Sequence, residues 1–171
     1  MEKTCGVYTR DEYFMLIAVR EALAAAERGE IPVGAVIVRD GKVIAAAGNS
    51  RERDRSALAH AELTVIGKAC GVLDGWRLTG CELFVTLEPC PMCAGAIVNA
   101  RIPRVVYGAS DHKGGAFGGL FDLMDYPLNH KPEVVSGVLR DKCSDMLRNF
   151  FRQRRAGDGY DPAKKWREKQ V

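Results

Sequence analysis

The chain has 171 residues, 47% of them hydrophobic, and a formal net charge of +3. That size and composition call for one domain with a full core and exclude a small disulfide-stapled scaffold. No apolar stretch is long enough to span a bilayer, and the start Met1-Glu2-Lys3-Thr4-Cys5-Gly6 lacks the segments of a signal peptide, so a cytoplasmic protein without a membrane partner is expected.

Residues 1–9 read as a frayed terminus. Over 10–29, Met15, Ala18, Val19, Ala22, Ala25 and Ala26 recur at helical spacing and Gly29 stands where a helix would end. This predicts a helix with a small-residue face suited to close packing, with Leu16 and Leu23 on another side as core or subunit contact. Runs 31–39 and 42–48 flank Asp40-Gly41, a two-residue hairpin signal, and the first run is apolar enough to be buried on both faces. Asn49 ends the second strand and opens a loop over 50–56; as a bare residue it is a turn former, though a strand end also places a side chain well for substrate. A helix is expected over 58–70, followed by a polar connection in which Trp76 reads as a core anchor.

The alternating segment 81–87 predicts a third strand that runs into Glu88-Pro89-Cys90-Pro91-Met92-Cys93 and a helix over 91–100. Residues 104–108 form a fourth strand, and the strand, helix, strand order implies parallel neighbours. Gly114-Gly115 and Gly118-Gly119 mark a flexible loop over 111–119, either a surface connection or a nucleic-acid contact through Lys113. Asn129 and His130 precede a short strand over 133–138. An amphipathic helix spans 141–155, where Phe150 and Phe151 fit the core pattern. From Arg152 onward seven basic residues face three acidic ones, a bias that suits either an RNA-facing terminus or a solvated tail.

Chemistry concentrates in two short stretches. Cys90 and Cys93 have the spacing that lets two thiolates grip one metal ion, and Pro91 suits the first position of a helix. Both sulfurs then sit at a helix start, where exposed N–H groups and the helix dipole favour the thiolate. His60 supplies a third ligand, and three protein ligands leave one tetrahedral position of zinc open for water, the catalytic arrangement. Glu62, two residues from a ligand, is placed to take a proton from that water and pass it to a leaving group. Glu88 either caps local N–H groups or orients a ligand. The other cysteines, Cys5, Cys70, Cys81 and Cys143, read as free thiols, because a chain of this size with a full core has little need of disulfides, and Cys70, Cys81 and Cys143 offer no second close pair for a four-cysteine zinc site. His-x-Glu followed by Pro-Cys-x-x-Cys is the signature of zinc-dependent nucleobase deaminases.

From about Tyr13 to about Arg155 the chain resembles the bacterial tRNA-specific adenosine deaminases of the cytidine/deoxycytidylate deaminase superfamily. The resemblance runs through Ile31-Pro32-Val33-Gly34-Ala35, Ala59-His60-Ala61-Glu62, Val85-Thr86-Leu87-Glu88-Pro89-Cys90-Pro91-Met92-Cys93-Ala94-Gly95, Arg104-Val105-Val106-Tyr107-Gly108, Asn129-His130 and Phe150-Phe151-Arg152. The chain differs from the family pattern at Phe117, Gly119 and Phe121, where a small residue, a serine and a methionine are expected, and at Ser56-Ala57-Leu58-Ala59.

The resemblance implies a three-layer α/β/α cytidine deaminase-like fold with a roughly five-stranded mixed sheet and zinc between two helix N-termini. It implies hydrolytic deamination of adenosine to inosine at the wobble position of a tRNA anticodon, by a homodimer with one zinc ion per subunit. Asn49 would contact the target base, Asn129 and His130 would lie near the anticodon stem-loop, and Phe150 and Arg152 would meet RNA; a DNA partner is not expected. The domain would cover 1–155, with a basic, flexible tail over 156–171. Two other readings stand beside this one. A deaminase of a free base or nucleoside, such as guanine or cytidine, would use the same zinc chemistry. A zinc-stabilised RNA-binding protein would have no use for Glu62 or for an open metal position.

Overall fold

The structure, a computed structural model, describes residues 3–4 and 8–157, so the tail from 158 onward and Cys5 lie outside the described residues. Strands β1 (Lys3–Thr4) and β2 (Tyr8–Thr9) pair antiparallel where the sequence suggested only a frayed end. Thr9 then starts α1 (Arg10–Glu27) through a capping box. The Glu12 N–H donates to Thr9 Oγ1 at 3.3 Å and the Thr9 N–H donates to Glu12 Oε2 at 2.7 Å.

Strand β3 (Gly34–Arg39) turns into β4 (Lys42–Gly48) through Asp40 and Gly41, whose φ angles of +50° and +71° are those of the tight hairpin that the Asp-Gly pair predicts. Pairing begins at Gly34 rather than Ile31, because Pro32 has no N–H to give a ladder. Residues 34–38 are all buried, as their apolar run requires. After Asn49 a short helix, α2 (Arg51–Asp54), replaces part of the expected loop. It is followed by α3 (Ala61–Val72), β5 (Cys81–Leu87), α4 (Pro91–Asn99), β6 (Arg104–Ala109), β7 (Glu133–Ser136) and α5 (Arg140–Ala156).

The main sheet runs β4-β3-β5-β6-β7, with β3 antiparallel to both neighbours and β5, β6 and β7 parallel. Strand alternation sends Ala35, Ile37, Leu83, Val85, Val105 and Tyr107 toward Ala61, Val65, Ala94 and Ile97 of α3 and α4. Val36, Val38, Phe84 and Val106 face Phe14, Met15 and Ala18 of α1 and Cys143 of α5 on the other side. The result is the expected three-layer α/β/α fold. At the sheet end away from the metal ligands, Arg104 pairs with Asp11 at 2.7 Å and Glu82 at 2.8 Å, tying α1 to the starts of β5 and β6.

Two packing expectations change and a third, for Leu16 and Leu23, is narrowed. Trp76 is 54% exposed, with the Arg77 guanidinium 4.2 Å from its ring centroid, so it is not a core anchor. Leu78 closes that layer instead, fully buried, its N–H donating to the Ala100 carbonyl at 2.7 Å. Phe150 is half-buried and Phe151 exposed, because α5 packs against β6 through one side and sinks only Cys143 completely. Leu23 is exposed and Leu16 half-buried, which leaves that side of α1 out of the core.

The small face of α1 is a steric requirement. A Cβ on Gly34 would lie 2.1 Å from the Ala18 carbonyl oxygen and 2.4 Å from the Ala22 nitrogen. Gly34→Ala is expected to destabilise the fold by about 1–3 kcal/mol, as overpacking does. Gly67→Ala in α3, where a Cβ meets nothing within 4 Å, should stabilise it by roughly 0.5–1 kcal/mol through helix propensity. Urea unfolding midpoints of the two variants should move in opposite directions.

Candidate metal centre and substrate pocket

Sheet topology decides where the site forms. Strands β5 and β6 end at Leu87 and Ala109; β4 ends and β3 begins at the same edge, because β3 runs antiparallel to both its neighbours. His60 is the N-cap of α3 and Cys90 the N-cap of α4, with Pro91 in the first turn. Both caps have extended backbone, with ψ of 149° at His60 and 170° at Cys90. The helix on residues 58–70 thus starts three residues later than its sequence pattern suggests. Neither cap residue spends its side chain on the helix, so both side chains are left for the site.

The His60 Nδ1 lies 3.8 Å from Cys90 Sγ and 3.5 Å from Cys93 Sγ. A tetrahedral zinc with bonds of about 2.0–2.3 Å spaces its ligand atoms roughly 3.5–3.8 Å apart, so these three atoms fit one ion. Among the described residues this is the group of histidine, cysteine and acidic side chains that could hold a metal. Hydrogen bonds from Cys93 and His60 hold the Cys90 thiol down to about 3, against the effect of its burial. The same contact with Cys90, together with burial, pushes the Cys93 thiol up, and the bond to Cys90 raises His60. Glu62 is 3% exposed, and burial raises its carboxyl above the ordinary range.

One pocket opens onto this cluster at His60 and Cys90. Its wall combines Asn49, His60, Glu62 and Cys90 with Ile31, Val33, Arg51, Leu87, Glu88 and Asp111. Asn49 is 5% exposed, its backbone N–H donating to the Val33 carbonyl at 2.9 Å.

A model of the MafB19-like deaminase family matches residues 9–155. The chain is 53% identical over 148 residues to the tRNA-specific adenosine deaminase of Bacillus subtilis, covering 86% of this chain and 92% of that one. The chain belongs to the MafB19-like deaminases, among the tRNA-specific adenosine deaminases. A solved structure from work on A-to-I editing by tRNA:A34 deaminases at the wobble position superposes with a TM-score of 0.75 at 46% identity, covering 79% of this chain and 99% of that one. A guanine deaminase from Nitrosomonas europaea shares the fold at a TM-score of 0.69 and 28% identity, covering 81% and 83%.

The remaining candidate residues are not among those that line the pocket. Lys113 is exposed, its N–H donating to Asp111 Oδ1 at 3.0 Å. Asn129 Oδ1 accepts from Arg101 Nη1 at 3.0 Å, and His130 Nε2 bonds the Ile102 carbonyl at 2.7 Å, so both are tied to the connection that follows α4. Phe150 lies under the Arg154 guanidinium at 4.9 Å, and Arg152 is exposed and bonded to Asn149.

The sequence reading passed over Ile31, Val33, Arg51, Leu87 and Asp111. The available signal was position: each lies at or just beyond the end of a strand that meets the metal ligands. Glu88 turns out to bond backbone N–H groups and no metal ligand. Its carboxylate accepts from Asp111 at 2.8 Å, Phe117 at 3.0 Å and Gly119 at 2.8 Å. Phe117 is buried and Phe121 packs against the same core, so the aromatic departures from the family pattern fill space under the 111–119 loop. Cys70, Cys81 and Cys143 are free thiols, as expected. Among the described residues no helix is long and apolar enough to cross a membrane.

Cys93 and His60 hold protons more tightly than usual, while metal ligation needs a thiolate and a neutral imidazole. Metal uptake must therefore release protons, and affinity must rise with pH. Chelator competition at about pH 6 and about pH 8 should give the tighter binding at the higher pH, and Cys93→Ser should sharply reduce metal content.

Proposed function

We propose that the protein is a zinc-dependent hydrolase that deaminates adenosine to inosine at the wobble position of a tRNA anticodon. The observation that carries this reading is Glu62. A carboxyl 3% exposed beside the His60, Cys90 and Cys93 triad, in a pocket open to substrate, serves proton transfer and would be a liability in a purely structural metal site. The high identity to tRNA-specific adenosine deaminases supports the substrate.

His60, Cys90 and Cys93 would hold the zinc, for which one histidine and two thiolates are a suitable donor set. Bound there, zinc supplies a water acidic enough to lose its proton near neutral pH. The net reaction adds water at C6 of adenine and releases ammonia. Glu62 accepts the proton of the attacking water, delivers it to ring nitrogen N1, and then carries a proton to the departing amino group. Burial raises the Glu62 carboxyl toward the working pH, which suits a group that must both take and give a proton. Asn49 is proposed to orient the base, since it is buried in the pocket wall.

An adenosine in an anticodon loop is already partly unstacked, which lowers the cost of drawing it into the pocket. Arg148, Arg152 and Arg155 on the exposed side of α5 supply positive charge for phosphates, with Lys113 in the loop beside Asp111. Asn129, His130 and Phe150 remain proposed contacts to the stem-loop, by family resemblance. A homodimer with one zinc per subunit, working in the cytoplasm, is proposed on the same ground.

The guanine deaminase fold keeps one rival open, a free base or nucleoside as substrate. A short RNA hairpin with adenosine at the wobble position should yield inosine, while free adenosine, guanine and cytidine should not react. Glu62→Ala should lower kcat by at least about 100-fold with zinc retained. Conversion of guanine or cytidine in place of the hairpin would overturn the substrate, and loss of zinc in Glu62→Ala would overturn the role of Glu62.

A further inference from the structure

Besides Glu62, two carboxylates are buried among the described residues, Glu30 at 1% and Glu88 at 2% exposure. A buried carboxylate is costly unless its oxygens are hydrogen-bonded. Neither makes a salt bridge with a described residue; Glu30 bonds backbone N–H groups at the start of α2 and Glu88 those of a loop. Glu30 accepts from Glu52 at 3.2 Å and from Arg53 at 2.8 Å. Those are the N–H groups an N-cap would satisfy in α2, and Ser50, its N-cap residue, makes no side-chain cap bond. Glu30 therefore caps α2 from a distance in sequence and holds Arg51, with Asn49 just before it, in the pocket wall.

Glu88 does the same for the second loop. Its Oε2 takes the Asp111 N–H, and its Oε1 takes those of Phe117 and Gly119. The loop is cut to fit the carboxylate: a Cβ on Gly115 would lie 2.2 Å from Glu88 Cδ, and one on Gly119 would lie 2.4 Å from Oε2. With four glycines over 114–119 this segment has a large conformational space to lose, and three charge-assisted bonds to one buried group restrict it. Asp111 is thereby held in the pocket wall.

Resting on the adenosine deamination proposed above, we propose that Glu30 and Glu88 are positioning residues which pre-order two walls of the substrate pocket, the Asn49–Arg51 wall and the Asp111 wall. Their carboxylate oxygens are taken up by backbone N–H groups, so neither acts on the reacting atoms. The ligands and Glu62 stand at the starts of α3 and α4, not on these loops. Loosening a loop must therefore weaken substrate binding, whose ordering cost is otherwise prepaid, more than it slows the chemical step.

The test uses Glu30→Gln and Glu88→Gln in the full zinc-loaded chain. Glutamine keeps the size and turns an acceptor oxygen into an NH₂ group facing an N–H. Zinc per chain should be unchanged, KM for the wobble-adenosine hairpin should rise about tenfold, and kcat should stay within roughly threefold. Hydrogen exchange should quicken at Glu52 and Arg53 in the first variant and at Asp111, Phe117 and Gly119 in the second. In the double variant the KM effects should multiply, since the loops are held by separate groups. Gly115→Ala, which displaces the loop and leaves the carboxylate intact, should reproduce the KM shift of Glu88→Gln should that variant fold poorly. A fall in kcat with KM unmoved, loss of zinc, or unchanged exchange at these amides overturns the proposal. Exchange is read without substrate: failure of the wild type to convert the hairpin would sink the deamination reading, while the hold on the loops would still be judged by the amides.

Discussion

Three ligand atoms from two separate stretches of chain must meet within 4.8 Å of one another, and the architecture is arranged around that meeting. His60 and Cys90 each cap a helix, and both helices start at the same edge of the sheet. Parallel β5 and β6 with a helix between them bring Cys90 there. The antiparallel hairpin β3–β4 returns the chain to the same edge before α3 begins. A sheet with all strands parallel would have put the end of β4 and the start of β3 at opposite edges. Ile31, Val33 and Asn49 could not then have shared a pocket with the metal ligands.

Helix starts are useful here for an electrostatic reason. Their unpaired N–H groups and positive dipole ends favour thiolates, which ligation needs. His60 and Cys90 take N-cap positions and use the backbone geometry of a cap without its usual side-chain bond. Buried carboxylates then divide the remaining work. Glu62 stands close to the metal ligands, whereas Glu30 and Glu88 are occupied with backbone N–H groups of the surrounding loops. The reacting set thus rests on rigid helix ends, and the recognition surface rests on loops held by side chains from elsewhere.

The other face of the sheet meets a different demand. Close approach of α1 to Gly34 and Gly48 allows only small residues there, and Cys143 of α5 leaves no room for a Cβ on Gly108. That layer is packed for closeness. It leaves the later turns of α5 partly uncovered, with Phe151 and the arginines at the surface. A basic, aromatic helix end outside the core is compatible with an RNA partner, and its position follows from how little of α5 the sheet buries.

The sequence by itself determined the elements whose signal is local. The helical spacing from Met15 to Ala25, the Asp-Gly hairpin, the buried run before Arg39 and the cap-forming Cys90-Pro91 pair all act over a few residues. The His-x-Glu and Pro-Cys-x-x-Cys stretches were legible for the same reason, because ligand spacing and residue chemistry are written in order along the chain. Tertiary structure alone decided which residues wall the pocket, since the position of Arg51 and Asp111 just beyond strand ends singles them out only once strand ends from distant segments converge. It also decided that Trp76 faces solvent while Leu78 fills the core, a choice that depends on what packs opposite. Glu30 and Glu88 are the clearest case. Capping of N–H groups was one of two sequence readings of Glu88, but which N–H groups it takes, and that Glu30 is buried at all, required the folded segments that present those groups.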